Sequence, residues 1–205
     1  MTRRATFLTK KEIEGGEEVE IKVKINPKRA KIIRQKIIEL RAVPLGIAEE
    51  KDSYFTAPHR NFLKTKECLR IREKNGRVEL TYKGPTTKQM FARKQFWKHE
   101  VNLPIDGFKK EIETLLELLN FRRVADVVKQ REKFLLGSQT ITLDNIKGLG
   151  WFMEVEKTAK NKKERQRFLK DNINLVKEIG LKEKDIIVKP YRDLLLERKT
   201  AKRRK

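Results

Sequence analysis

Residues 18–22 read Glu18-Val19-Glu20-Ile21-Lys22, and residues 153–157 read Met153-Glu154-Val155-Glu156-Lys157. Alternate side chains of a β-strand point to the same face. Glu18, Glu20, Lys22 and Lys24 therefore share one face of the first strand, and Val19, Ile21, Val23 and Ile25 share the other. In the second strand Glu154 and Glu156 share a face, with Val155 opposite. Carboxylates paired on two strands supply the close oxygen ligands that a hard divalent cation takes. Lysines on the same faces suit an anion lying beside such a cation.

The same parity extends outward along the chain. Arg70 and Arg72 share a face, as do Thr81 and Lys83, then Lys129, Arg131 and Lys133, then Thr140, Thr142 and Asp144. Leu69, Ile71, Leu80, Tyr82, Ile141 and Leu143 point the other way. Two arrangements fit. In the commoner one the charged faces meet solvent and the apolar faces make a core. In the other the apolar faces point outward under helices, and the charged faces line a polar interior wide enough for side chains or one small ligand. The sign pattern favours the second. The carboxylates Glu18, Glu20, Asp144, Glu154 and Glu156 sit on three strands, and Lys22, Arg70, Arg72, Lys83, Lys129 and Arg131 dominate the rest.

Between these strands the helical signals are few. Asn26-Pro27 provides an N-cap and a first-turn proline for a helix reaching about Ala42, with Ile32, Ile33, Ile37, Ile38 and Leu40 at helical spacing. A second helix is predicted over 106–120, with Ile112, Leu115, Leu116 and Leu119 on one side, a third over 161–179, and a short fourth over 190–198. Strands are predicted over 17–25, 46–56, 67–74, 77–84, 89–103, 122–136, 139–146 and 151–158. Asn75-Gly76 is the strongest hairpin signal. About eight strands in hairpin order, with helices that need an apolar surface, predict an α+β fold: an antiparallel β-barrel with helices packed outside. Residues 1–16 read as a flexible lead-in, 17–197 as one domain, and 198–205 as a basic, disordered tail.

The 205 residues carry a net charge of +22, which points to polyanionic partners. Cys68 is the one cysteine, so no intrachain disulfide forms and a reducing, cytoplasmic setting is expected. Its place in the run Cys68-Leu69-Arg70-Ile71-Arg72 predicts a small buried residue. No apolar run reaches about 18 residues, so no membrane span is expected, and no secretory signal follows Arg3 and Arg4.

The segments EVEIK (18–22), KDSYF (51–55), CLRIR (68–72), LTYKGP (80–85), VVKQR (127–131), ITLDNIKGLGWFMEVE (141–156) and PYRDLL (190–195) together resemble the CYTH superfamily of triphosphate tunnel metalloenzymes, nearest its class IV adenylyl cyclase-like branch. The resemblance implies an eight-stranded tunnel open at both ends, holding a triphosphate and Mg²⁺ or Mn²⁺. It implies Glu18, Glu20, Glu154 and Glu156 as metal ligands, Asp144 as a further acidic catalytic residue, and Lys22, Arg70, Arg72, Lys83, Lys129 and Arg131 as phosphate binders. Asp52, Tyr54 and Tyr191 match its motifs without an assigned chemistry, and Tyr54, Phe55 and Tyr191 read as packing anchors. One stretch departs from the family: Arg93-Lys94-Gln95-Phe96-Trp97-Lys98-His99-Glu100 keeps one acid where the family often has three.

The implied substrates are ATP, cyclised to cyclic AMP and pyrophosphate, or tripolyphosphate, thiamine triphosphate or a nucleoside triphosphate undergoing hydrolysis. A polyanion- or RNA-binding module of weakened catalysis is the rival reading. A monomer or homodimer fits either.

Overall fold

The computed structural model describes residues 17–85 and 97–203. The expected lead-in and residues 93–96 of the divergent stretch lie outside them. The elements run β1 (Glu17–Ile25), α1 (Pro27–Glu39), β2 (Val43–Thr56), α2 (Phe62–Thr65), β3 (Cys68–Lys74), β4 (Arg77–Lys83), β5 (Trp97–Pro104), α3 (Lys109–Leu118), β6 (Arg122–Leu136), β7 (Gln139–Ile146), β8 (Gly150–Ala159), α4 (Lys162–Glu178), a 3₁₀ turn (Glu183–Asp185), β9 (Ile186–Ile187) and α5 (Tyr191–Arg203). No described helix is long and apolar enough to cross a membrane.

Local chemistry sets the boundaries. The Asn26 side chain accepts a hydrogen bond from the Arg29 N–H at 2.8 Å, and Asn161 does the same for Glu164 at 2.9 Å. Each satisfies a donor that the first helical turn leaves open. Asn75 and Gly76 both take positive φ, 49° and 75°, as the tight hairpin joining β3 to β4 requires.

The strands form one antiparallel sheet of nine, ordered β5-β4-β3-β2-β6-β7-β8-β1-β9. Eight were expected. The ninth, β9, has two residues, too few for any alternation to register, and it exists because β1 leaves an edge free. One edge of β1 pairs with β8 along its whole length. The other pairs with β5 through Glu17↔His99, Glu18↔Lys98 and Val19↔Trp97, and then with β9 through Lys22↔Ile187 and Val23↔Ile186.

The apolar faces of β1, β6, β7 and β8 point to the helices. Ile21, Val23, Phe134, Ile141, Leu143, Met153 and Val155 pack with Ile33 and Ile37 of α1 and Leu175 and Val176 of α4. The charged faces therefore turn away from the helices, as in the less common of the two arrangements. Asn172 of α4 is fully buried and donates to the carbonyls of Val19 (3.0 Å) and Val155 (3.3 Å) on adjacent strands. Its own carbonyl accepts from Gln139 at 2.9 Å. Replacing Asn172 by Leu strands these groups away from water, so about 1–3 kcal/mol of stability should be lost in urea unfolding.

Three details differ from expectation. Only Ala30, Ile33 and Ile37 of α1 are buried, and Ile32 and Ile38 are exposed. On α3 only Leu116 is buried, while Leu115 and Leu119 are half exposed, because a single narrow stripe meets the sheet. The terminal helix continues through Arg203, so the stretch expected as a disordered tail from Arg198 is helical to that point.

Candidate active site

Residues of β1–β8 line a cavity of about 880 Å³. Glu18, Glu20, Lys22, Arg70, Arg72, Lys83, Lys129, Arg131, Glu154 and Glu156 all line it, so all but one of the expected site residues share one space. The exception is Asp144. It is fully buried behind the wall, where it accepts from Arg131 Nε (2.7 Å) and Nη2 (2.5 Å) and from the Tyr191 hydroxyl (3.0 Å). Its contacts make it a residue that positions Arg131. Near α5, Tyr54, Val127, Ile146, Phe152, Tyr191 and Leu195 pack as an apolar cluster. Tyr54 and Tyr191 thus anchor packing as their sequence context suggested. Cys68 is half-buried and borders the cavity instead of lying in the core.

Strand register decides who pairs with whom, since directly opposed residues share a face. Glu50 opposes both Lys74 and Lys129, and its carboxylate lies 2.9 and 3.1 Å from their ammonium nitrogens. Asp52 opposes Arg72 and takes a two-pronged contact of 2.6 and 2.8 Å. Lys83 opposes Glu100 at 3.0 Å and also bonds Glu18. Lys22 opposes Glu154 at 3.1 Å and reaches Glu20 at 2.8 Å. Arg131 opposes Asp144 and also bonds Glu154.

Sequence reasoning passed over Glu50 and left Asp52 a motif match without a chemistry; the two are 1% and 0% exposed. The signal was present: Glu50, Asp52 and Tyr54 alternate along β2 as the assigned residues do on their strands. Without the register, nothing showed that this face meets Arg70, Arg72, Lys74, Lys129 and Arg131.

The electrostatics split the acids into two groups. Burial would raise Asp52, but Lys129 and Arg72 outweigh it and hold its carboxyl well below the usual range. Glu154 is lowered likewise by Lys22 and Arg131 against burial. Glu20 and Glu156 go the other way. Burial, and then Glu154, raise Glu20, while burial and then Glu18 push Glu156 up to about 7. Carboxylates gathered on β1 and β8 add to burial in both cases, and across those two strands Glu20 and Glu156 are directly opposed. Among the described ladders this is the one position where two carboxylates face each other.

The pH dependence of the metal-free protein follows with opposite signs. For Asp52, lowered on folding, stability is full above the unfolded carboxyl range near 4 and is lost as pH falls through the lower folded value. For Glu156, raised on folding, stability is full below its unfolded value and is lost as pH rises toward about 7. Thermal unfolding in EDTA should therefore peak near pH 5, roughly between these ranges, and fall on both sides.

Among the described residues no three ligating side chains stand ready as a metal cage. Glu18, Glu20 and Glu154 are engaged by Lys83 and Lys22. The donor set nonetheless fits a divalent cation, because carboxylate oxygens are its preferred ligands and Glu18, Glu20, Glu154 and Glu156 bring four carboxylates to one cavity.

The CYTH domain profile matches residues 16–191. The chain belongs to the CYTH family. A protein of Methanocaldococcus jannaschii, named as a candidate adenylate cyclase, is 30% identical over 177 residues, 86% of this chain and 97% of that one. Among solved CYTH-like structures, a Pyrococcus horikoshii protein has 33% identity and a TM-score of 0.76, covering 88% of this chain and 98% of its own. A Vibrio parahaemolyticus protein, also named as a candidate adenylate cyclase, shares the fold at 22% identity with a TM-score of 0.73, covering 89% and 99%.

Proposed function

We propose that this CYTH protein is a divalent-metal-dependent enzyme acting on a triphosphate inside a tunnel, with cyclisation of ATP as its reaction. The observation that carries the reading is the meeting of Glu18, Glu20, Glu154 and Glu156 at one cavity, with Glu20 and Glu156 directly opposed. The additional β5–β1 ladder supports closure of the sheet around that cavity. The name of the Methanocaldococcus jannaschii relative supports cyclisation over hydrolysis.

Glu18, Glu20, Glu154 and Glu156 would hold Mg²⁺ or Mn²⁺, which would neutralise phosphate charge in the transition state. For the cation to enter, the Lys22 and Lys83 ammonium groups must turn from the carboxylates, and the arriving phosphates offer them new partners. Arg70, Arg72, Lys129 and Arg131 face the same space. The three arginines present planar forks for phosphate oxygens, while Glu50, Asp52 and Asp144 fix their direction from behind. Cyclisation joins the ribose 3′-oxygen to the α-phosphorus and breaks the bond to the bridging oxygen. It releases pyrophosphate and a proton.

Incubation with ATP, tripolyphosphate or thiamine triphosphate plus Mg²⁺ or Mn²⁺, scored for cyclic AMP, orthophosphate and pyrophosphate, tests this. Equal yields of cyclic AMP and pyrophosphate from ATP are expected. Orthophosphate alone would make the protein a triphosphatase, and no metal-dependent turnover would overturn the enzyme reading.

A further inference from the structure

β2 is paired on both edges for only part of its length. Over residues 50–55 it lies between β3 and β6, but β3 ends opposite Glu50, and over residues 43–49 β6 alone accompanies it among the described residues. The backbone of that stretch has a direction. The Val128 carbonyl accepts from the Lys147 N–H at 2.9 Å, so Val128 turns its backbone groups to β7 and Lys129 turns its own to β2. Lys129 opposes Glu50. Strand alternation then gives the backbone groups of Glu50 and Ala48 to β6 and leaves those of Ile47 and Glu49 on the open edge.

The side chains of the stretch suit an edge that is covered. Val43-Pro44-Leu45-Gly46-Ile47-Ala48 is an uncharged run in a chain that is 39% charged. Val43, Leu45 and Ile47 are 57%, 52% and 60% exposed. An open apolar edge invites another strand, and proteins that stay single blunt such edges with charges. Pro44 lacks an N–H, which keeps any added ladder short. The charges here stand at the two ends of the run instead. Arg41 precedes it and Glu49 follows it, both exposed and, among the described residues, without an ion-pair partner.

We propose that a second copy of this chain covers the edge, with β2 antiparallel to its counterpart about a two-fold axis at Leu45. Leu45 lies midway between Arg41 and Glu49. The axis therefore sets Arg41 of each copy against Glu49 of the other, and Val43 against Ile47. The chain carries both halves of this charge match, in the order that self-pairing needs. At +22 per copy the two molecules repel elsewhere, so an uncharged run is where they can approach. An interface built on one strand sits at the small end of specific interfaces, about 1,200 Å² in total, so micromolar dissociation is expected. Arg41, Leu45 and Glu49 do not line the cavity, and the inference stands apart from the triphosphate reading.

Sedimentation equilibrium of the full chain, from about 1 to 200 µM, should show a monomer–dimer equilibrium. Leu45→Lys places two ammonium groups at the axis and should weaken the dimer about a hundredfold. Glu49→Arg sets arginines against each other twice and should weaken it about tenfold. Adding Arg41→Glu to Glu49→Arg restores opposite charges in reverse order, and this double variant should return to within about threefold of wild type. A monomer across the whole range would overturn the proposal and leave the edge to another occupant. So would a dimer that neither Leu45→Lys nor Glu49→Arg weakens, or a double variant as weak as Glu49→Arg alone. The charge variants sit at exposed positions, so they decide the matter if Leu45→Lys fails to fold.

Discussion

Glu156→Gln should abolish metal-dependent turnover, by about 10³-fold or more, and at the same time stabilise the metal-free protein. The first effect follows if the Glu20–Glu156 pair binds the cation. The second follows from the pair itself. Glu156 opposes Glu20, and burial and Glu18 push its carboxyl up to about 7. Keeping it ionised at neutral pH works against folding, and a neutral amide removes that cost. The cavity admits water, so the gain is on the order of 1 kcal/mol rather than the full shift. Melting curves in EDTA at pH 7.5 should show the variant above wild type, and the gap should close toward pH 5. With Mg²⁺ added, wild type should gain stability by mass action and the variant should gain far less. A variant less stable than wild type in EDTA would show that Glu156 is not electrostatically frustrated.

Asp144→Ala should have the largest cost in stability, about 3–5 kcal/mol. Asp144 is fully buried and receives two guanidinium contacts from Arg131 and one hydroxyl contact from Tyr191. Removing it leaves a buried cation with only Glu154 and, at 3.9 Å, Glu50 to answer it. Its melting temperature should fall by roughly 10 °C. Asp144→Asn should lose nearly as much, because the amide keeps the shape but not the charge. The double variant Asp144→Leu with Arg131→Met should regain most of the stability, since a buried ion pair replaced by apolar groups is often neutral. It should not regain turnover, because Arg131 faces the cavity. Recovery of activity in the double variant would remove Arg131 from the phosphate site.

The two predictions mark how far the sequence reaches. Alternation along EVEIK, CLRIR, VVKQR and MEVEK was enough to sort each strand into a charged and an apolar face, because strand parity is a local property. The hairpin at Asn75-Gly76 and the cap at Asn26 were legible for the same reason: a turn or a cap depends on a few neighbouring residues. The family followed from motifs in order, and with it ten of the eleven assigned residues fell on the cavity wall.

What lay beyond the sequence was everything that depends on which strand meets which, and in what register. Parity gave Asp144 the same face as Thr140 and Thr142, but only the ladder with β6 showed it locked behind Arg131. Parity left Glu50 unremarked and Asp52 without a chemistry until β3 and β6 brought Arg72 opposite Asp52 and Lys129 opposite Glu50. The choice between a solvated charged face and a charged interior was also tertiary. It was settled by α1 and α4 covering the apolar faces, because burying those faces stabilises the protein only if the charges that turn inward find partners. Glu20 finds Lys22 yet directly opposes Glu156, and the sequence named both carboxylates without revealing that they face each other.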